Sequence, residues 1–510
     1  MKALLVYPAY PDTFWSFRHI MPFVSRKAAF PPLGLLTVAA MLPPAWEKRL
    51  VDVNVSALTD EDLAWADMVL VSAMVVQEAG AKEVMARARA MGKRVVAGGP
   101  AFSAYPEHFQ DVDHFILDEA ETTLPLFLDD LRAGTPKPVY ASPQRPDIST
   151  TPIPLWELIN PRDYVSMAVQ YSRGCPFDCE FCGIVVMNGR RPRVKSPDQM
   201  LGELASLYDS GWRGTVFIVD DNFIGNIVRV KAFLSRLRDW QAERSYPFKF
   251  MTEASVNLAQ DDDLMHLMSA ANFHKVFLGI ETPSAVSLEE CGKKQNVAMD
   301  LPLAVRTIHQ HGMQVMGGFI VGFDSDTETI FEQQIRFIQH IGVVTAMVGI
   351  LNALPHTRLW HRLKAENRLL GDANGENTDA DLNFVPVMGR QALIDGYKRV
   401  LATIYSPECY YERINTFLKN YNPTSRGKLV LREVRALLKS LWSIGVRSRA
   451  RKDYWKLLVK TALTKRKAIP VAVELAIMGL HFELVTKRVL AASEGVAESY
   501  VESAECGGRG

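Results

Sequence analysis

Apolar and polar positions along the chain fall into two successive alternating regions and then a helical one. In the first 140 residues, short β-branched runs from Ala3 to Tyr7, Arg49 to Val55, Met68 to Ser72, Arg94 to Ala97 and His114 to Leu117 alternate with helical stretches. That alternation predicts a doubly wound parallel sheet. Between the third and fourth runs, Gln77 to Met91 is rich in Ala, Glu, Lys and Arg and predicts a crossover helix. The fourth run ends in Gly98-Gly99-Pro100, a turn at the carboxyl end of a strand, where ligands of such sheets sit.

A stretch rich in Pro, Ser and Thr follows from Thr135 to Pro154, and its composition predicts a linker that few contacts cross. A second alternation then begins, with runs at Ala168 to Tyr171, Thr215 to Val219, Lys249 to Val256, Lys275 to Ile280, Val315 to Val321 and Ala346 to Leu351. Helical segments such as Pro197 to Ser210 and Ile227 to Arg244 separate them, which predicts parallel strands in a barrel or part of one. Beyond about residue 390 the β-runs stop and helical patterns take over, through Asp395 to Ile404, Tyr410 to Lys419, Leu429 to Ile444 and Val471 to Leu490. The reading is an α/β protein of three units: 1–140, 155–388 and a helical 389–510.

Composition narrows the class. Of the 510 residues, 48% are hydrophobic and 23% charged, as in a soluble globular protein with large cores. A net charge of only +1 argues against nucleic acid as a partner, although Lys and Arg crowd the run from Arg426 to Lys467 against two acids, Glu433 and Asp453. That run is a set of solvated helix faces or a patch for a peripheral membrane contact. The start, MKALLVYPAYP, predicts a buried strand and not a signal peptide. The apolar stretch Ile469 to Phe482 is short for a bilayer span and broken by Glu474. A cytoplasmic location is expected, and the six cysteines, three clustered and three scattered (Cys291, Cys409, Cys506), suit metal binding in a reducing compartment.

The chemistry concentrates in Tyr171-Ser-Arg-Gly-Cys-Pro-Phe-Asp-Cys-Glu-Phe-Cys-Gly183, which places Cys175, Cys179 and Cys182 as C-x3-C-x2-C directly after an apolar strand. Thiolates are soft ligands suited to iron–sulfur clusters, and three on one loop can hold three irons of a cubane, leaving the fourth open. A structural zinc would want four ligands, and no fourth Cys or His lies at the usual short spacing. Two acids end later strands of the same region: Glu253 in Phe250-Met-Thr-Glu-Ala-Ser255 and Glu281 in Leu278-Gly-Ile-Glu-Thr282. Strand ends of that kind form barrel active sites, and the alternative for each acid is an ion pair with a neighbouring Lys or Arg.

On these motifs the chain resembles the cobalamin-binding radical S-adenosylmethionine (SAM) proteins, in the subgroup with the helical carboxyl-terminal domain of hopanoid-methylase-like proteins. The resemblance implies a [4Fe–4S] cluster on Cys175, Cys179 and Cys182 that cleaves SAM reductively. It implies that Phe181 packs by the adenine and that Asp220, Asp221 and Asn222 stand in for the glycine-rich segment at the methionine amino group. Glu253 and Glu281 would meet ribose hydroxyls or the methionine ammonium, and Gly318, in Gly317-Gly318-Phe-Ile-Val-Gly322, would pass under the adenine. The first domain becomes a flavodoxin-like cobalamin site, with Ser72, Gly98, Gly99, Glu119 and Glu121 around its carboxyl edge. No D-x-H-x-x-G motif occurs, and the domain's histidines are His19, His108 and His114, so a histidine ligand to cobalt is not assigned.

The implied function is a cobalamin-dependent radical SAM methyltransferase acting on an unactivated carbon of a small-molecule or lipid-like substrate. One SAM would methylate reduced cobalamin and another would give a 5′-deoxyadenosyl radical, with a flavodoxin or ferredoxin-type protein as electron donor. The helical tail would close the barrel mouth. Alternatives are a cobalamin-dependent radical cyclase or rearrangement enzyme without methyl transfer, and a non-catalytic iron–sulfur sensor.

Overall fold

The computed structural model describes residues 1–376, 378–424 and 431–492. Arg426 and Lys428 of the basic run, Cys506 and the end of the expected third unit lie outside them.

The amino-terminal sheet has six parallel strands, β1 (Lys2–Tyr7), β2 (Glu47–Asp52), β3 (Met68–Ser72), β4 (Arg94–Gly98), β5 (His114–Ile116) and β6 (Val139–Tyr140), in the order β2-β1-β3-β4-β5-β6. Ala3, Leu4, Leu5 and Val6 are fully buried, because helices cover both faces and a central strand there must be apolar throughout. β6 comes out of the expected linker. That linker is also well bound: Arg145 donates to the carbonyls of Val186 and Met187, and Gln199 to those of Ile148 and Thr151. A composition rich in Pro, Ser and Thr excludes long regular elements, but it does not exclude contacts.

The second sheet is a partial barrel of parallel strands β7 (Ser166–Val169), β10 (Gly214–Ile218), β11 (Phe248–Ala254), β12 (Phe273–Glu281), β13 (Gln314–Val321) and β14 (Ala346–Ile350), paired in that sequence. A two-stranded antiparallel ribbon, β8 (Ser172–Arg173) with β9 (Arg193–Val194), frames the cysteine loop. Along β11, Phe248, Phe250, Thr252 and Ala254 are buried, while Lys249, Met251 and Glu253 lie on the other face and are more open. The period of two therefore puts Glu253 on the inner face. Phe277 and Met347 are met there by Trp15, which reaches across from the β1–β2 connection.

The helices Arg390–Ile404, Pro407–Asn420, Leu431–Ser443, Arg451–Thr464 and Ile469–Ala492 share one hydrophobic core with this barrel. Tyr405 donates to the carbonyl of Ala346, the first residue of β14, and Lys275, near the start of β12, pairs with Glu474. Lys249 at the start of β11 pairs with Glu433 at 3.3 Å. These contacts lie at the amino ends of the strands, opposite the cysteine loop, whereas Tyr397 donates to the Val348 carbonyl within β14 and Leu393 packs on Gly322 just past the carboxyl end of β13. Aromatic residues at helical spacing revealed that the tail packs, not against which end. The helix Ile469–Ala492 runs ten residues past Phe482, and the segment Arg466–Ala491 is long and apolar enough to cross a membrane by length and composition. Over half of that apolar stretch is buried inside the protein, where Glu474 holds Lys275.

Candidate functional site

The cysteine loop is built onto β7 by two acids below it. Asp220 is buried and accepts from the Tyr171 N–H (2.7 Å) and Ser172 Oγ (2.6 Å). Burial pushes its carboxyl up to about 7. Asp221 accepts from the Gly174 N–H (2.7 Å) and Asn188 Nδ2 (2.9 Å). Gly174 has φ +97°, and a Cβ there would come within 2.9 Å of the Gly189 carbonyl, so the turn needs glycine. Both acids are thus occupied in holding the loop, and of the three residues expected at the methionine amino group only Asn222 turns to the thiols. Its Nδ2 lies 3.7 Å from Cys175 Sγ and 3.1 Å from Ser255 Oγ, and Ser255 in turn meets Asn257. Beside it, Pro176, Phe177, Asn222, Ser255 and Asn257 line a cleft of about 320 Å³.

Burial raises the Cys175 thiol and takes that of Cys182 up to about 12, so neutral thiols are favoured until a positive centre draws off the protons. Gln295 Nε2 lies 3.8 Å from Cys179 Sγ. The three thiols lie close enough for Cys179 to act on both Cys175 and Cys182 through its charge. Three soft ligands gathered on one loop fit a polynuclear iron–sulfur cluster. Cys291 is buried nearby, its S–H on the Leu288 carbonyl and its own carbonyl accepting from the Glu180 N–H.

The strand-end acids divide. The Glu253 backbone carbonyl accepts from the Phe223 N–H, but its carboxyl has no hydrogen-bond or ion-pair partner among the described residues, and burial, with Asp221 and Asp220 close by, raises it to about 8. An acid so placed is ready to accept from a ligand hydroxyl or ammonium. Glu281 instead forms a buried ion pair with Lys293, the alternative left open for it. Its φ is +67° and the β12–β13 register breaks beside it, a strained conformation of the kind found at sites and clamps. A Cβ on Gly279 would come within 2.5 Å of both Glu281 Oε1 and Lys293 Nζ, so that glycine makes room for the pair. Phe181 packs on Phe323 with the Lys293 ammonium 5.8 Å from its ring. Gly318 faces Phe277, whose ring a Cβ would approach to 2.9 Å.

At the carboxyl edge of the first sheet, Gly99 has φ +100° and a Cβ there would meet Ser72 Oγ at 2.5 Å; one on Gly98 would meet the Ile116 carbonyl at 2.6 Å. These small residues are therefore explained by the protein's own close packing. Glu119 and Glu121 are not free either: Arg173 reaches Glu119 Oε2 and Glu121 Oε1 at 2.7 Å each, and Arg193 holds Glu119 Oε1 at 2.7 Å. The three histidines of the first unit have partners, His19 on Asp12, His108 between Glu78 and Asp372, and His114 on the Lys137 carbonyl.

Comparison with known proteins decides between the families this arrangement allows. Residues 23–128 match the B12 binding domain, 169–338 the radical SAM superfamily and 357–494 a domain of unknown function (DUF4070). The chain is 44% identical over 462 residues to an uncharacterized methyltransferase of Synechocystis sp., covering 89% of this chain and 86% of the relative. It is 34% identical over 479 residues to the hopanoid C-2 methylase of Rhodopseudomonas palustris, covering 90% and 89%. The chain belongs to the cobalamin-dependent radical SAM methyltransferases. The cofactors of this family's two domains are cobalamin, SAM and the [4Fe–4S] cluster. Its fold is similar to that of the radical SAM methyltransferase TsrM of Kitasatospora setae with cobalamin and [4Fe–4S] cluster bound (TM-score 0.59, 14% identity, 94% of this chain and 98% of that one). It is also similar to the cobalamin-dependent SAM radical enzyme OxsB (TM-score 0.60, 14% identity, 98% and 81%).

Sequence reasoning missed Arg173, Arg193, Lys293 and Gln295 in this methyltransferase. Arg173 was visible two residues before Cys175. Lys293 carried no signal, since only the fold brings it back to Glu281.

Proposed function

We propose that this enzyme methylates an unactivated carbon of an apolar, lipid-like substrate of the hopanoid kind on which its Rhodopseudomonas relative acts. One observation carries the reading: Arg173 joins the strand leading into the cysteine loop to Glu119 and Glu121 of the B12-binding domain, so the two cofactor domains are bolted together at the loop itself. Methyl transfer to a carbon that must first lose hydrogen needs both cofactors within reach of one substrate. When bound, the cluster supplies the electron that cleaves SAM to methionine and a 5′-deoxyadenosyl radical, and cobalamin supplies the methyl group. Cys175, Cys179 and Cys182 would hold the cluster, with Asn222 and Gln295 donating to two of the sulfurs. Glu253 would accept from SAM's hydroxyl or ammonium groups, and the Glu281–Lys293 pair would fix Phe181 against it. Paired histidines in the B12-binding domain favour cobalamin bound without an imidazole from the protein.

Phe217, Met251, Phe277 and Met347 on the barrel's inner face, covered by Trp15 and Phe30, favour an apolar substrate and exclude water from the radical. A flavodoxin or ferredoxin-type donor in the cytoplasm would supply the electrons, and a bilayer contact would give access to a lipid. The test is anaerobic turnover with SAM, cobalamin and a lipid extract: product with the mass gain of one methylene together with 5′-deoxyadenosine supports it. Deoxyadenosine with a rearranged product of unchanged mass would make it a cyclase, and neither product would leave an iron–sulfur protein without turnover.

A further inference from the structure

The described part of the basic run, 431–467, lies on a helical hairpin with an exposed apolar stripe on each helix. On Leu431–Ser443, Val434, Leu438 and Trp442 are all exposed at spacings of four, and on Arg451–Thr464, Trp455, Val459 and Leu463 repeat the pattern. Trp442 is 56% exposed, Trp455 46% and Leu463 77%; among the described residues these two are the exposed tryptophans. Ser440 bonds Tyr454 on the buried side, and Trp455 Nε1 donates to the Gly445 carbonyl, so the two stripes meet at the hairpin turn. One position on from the second stripe, exposed Lys452, Lys456 and Lys460 form a parallel cationic band. Between the turn and the last helix, Arg447, Arg449 and the Lys487–Glu483 ion pair surround Leu480 and Leu484 in a cleft of about 510 Å³.

We propose that this hairpin docks the enzyme on an anionic lipid bilayer, with Trp442, Trp455 and Leu463 at the boundary of headgroups and acyl chains. An exposed apolar stripe in a soluble fold marks an interaction surface, and Trp beside a band of Lys is the composition of an interfacial helix. The cationic band chooses the occupant. A second copy of the chain would bring like charges together, whereas anionic headgroups complement them, and lysines can hold their ammonium groups among phosphates while their stems cover acyl chains. The inference deepens the bilayer contact of the proposed function by naming its surface and the charge of its lipid, and it is tested without turnover, so it can fail while the proposed reaction stands.

Flotation of the full chain with vesicles of phosphatidylcholine, alone or mixed with phosphatidylglycerol, tests it without turnover. Binding is expected only to the anionic vesicles, with brominated acyl chains quenching tryptophan emission. Lys452→Glu/Lys456→Glu/Lys460→Glu should lower partitioning roughly a hundredfold, since each near-surface charge is worth about a factor of five. Trp442→Ala/Trp455→Ala should abolish quenching while far-ultraviolet circular dichroism is unchanged. Should a variant misfold, the wild-type quenching and its lipid dependence still decide the matter. No flotation, flotation indifferent to phosphatidylglycerol, or a dimer dispersed by the tryptophan variant without vesicle binding would overturn the proposal.

Discussion

Arg173 Nη2 lies 2.7 Å from Glu121 Oε1, a nearly buried ion pair that links the cysteine loop to the B12-binding domain. Thr151 Oγ1 also donates to Glu121 at 2.7 Å, and these groups hold its carboxyl down at about 2 against the opposing cost of burial. A carboxyl lowered in the folded state contributes stability that is present above its unfolded pKa and is lost as pH falls through the folded value. Docking of the two domains should therefore weaken between about pH 4.5 and 2. Arg173→Ala leaves a buried carboxylate without its cation and should destabilise the chain by about 3–5 kcal/mol. Thermal unfolding checks the loss, and proteolysis near residues 141–147 checks that the domains have separated.

Glu281 and Lys293 should behave as one unit. Glu281→Ala strands a buried ammonium beside the cysteine loop, so the melting temperature should fall by the equivalent of about 3–5 kcal/mol, and SAM affinity should fall with it as Lys293 and Phe181 lose their support. Adding Lys293→Ala should recover much of the stability. A double-mutant cycle by thermal denaturation and calorimetry measures the coupling; additive losses would mean that the two groups act separately.

Glu253 predicts a different pH dependence. Its carboxyl is raised from 4.5 to about 8, so its contribution to stability is fully present below the unfolded pKa and is lost as pH rises through about 8. Without cofactors the chain should lose stability over that interval, and Glu253→Gln should flatten this part of the profile and melt higher than wild type near pH 8.5. Melting curves across pH 5–9 check it, and parallel profiles for the two proteins would contradict it.

The paired histidines predict the state of cobalt. In the Co(II) form, electron paramagnetic resonance should lack nitrogen superhyperfine splitting from a protein ligand. Splitting that disappears in His19→Ala, His108→Ala or His114→Ala would show that one of them leaves its partner for the metal.

Much of this architecture was legible in the sequence because central strands such as Met68–Ser72 are buried on both faces and so appear as unbroken apolar runs. The cysteine spacing was equally legible, since three ligands of one centre sit within eight residues. What stayed hidden depends on distant pairing. Glu119 and Glu121 have the look of cofactor contacts until Arg173, some fifty residues on, is folded against them. Glu281 takes Lys293 as partner only because a register break and a positive φ turn it inward, and no local propensity announces either. Asp220 and Asp221 stand in the right place for a ligand, but backbone N–H groups of the loop claim them first.

The central claim is that Cys175, Cys179 and Cys182 hold the iron–sulfur centre beside a B12-binding domain whose own residues hold cobalamin. The most direct measurement is iron, sulfide and cobalamin content of the anaerobically reconstituted full chain against its Cys175→Ala/Cys179→Ala/Cys182→Ala variant. The account predicts one [4Fe–4S] cluster in the wild type, and in the variant no cluster but undiminished cobalamin. A variant that retained its full complement of iron and sulfide would contradict it.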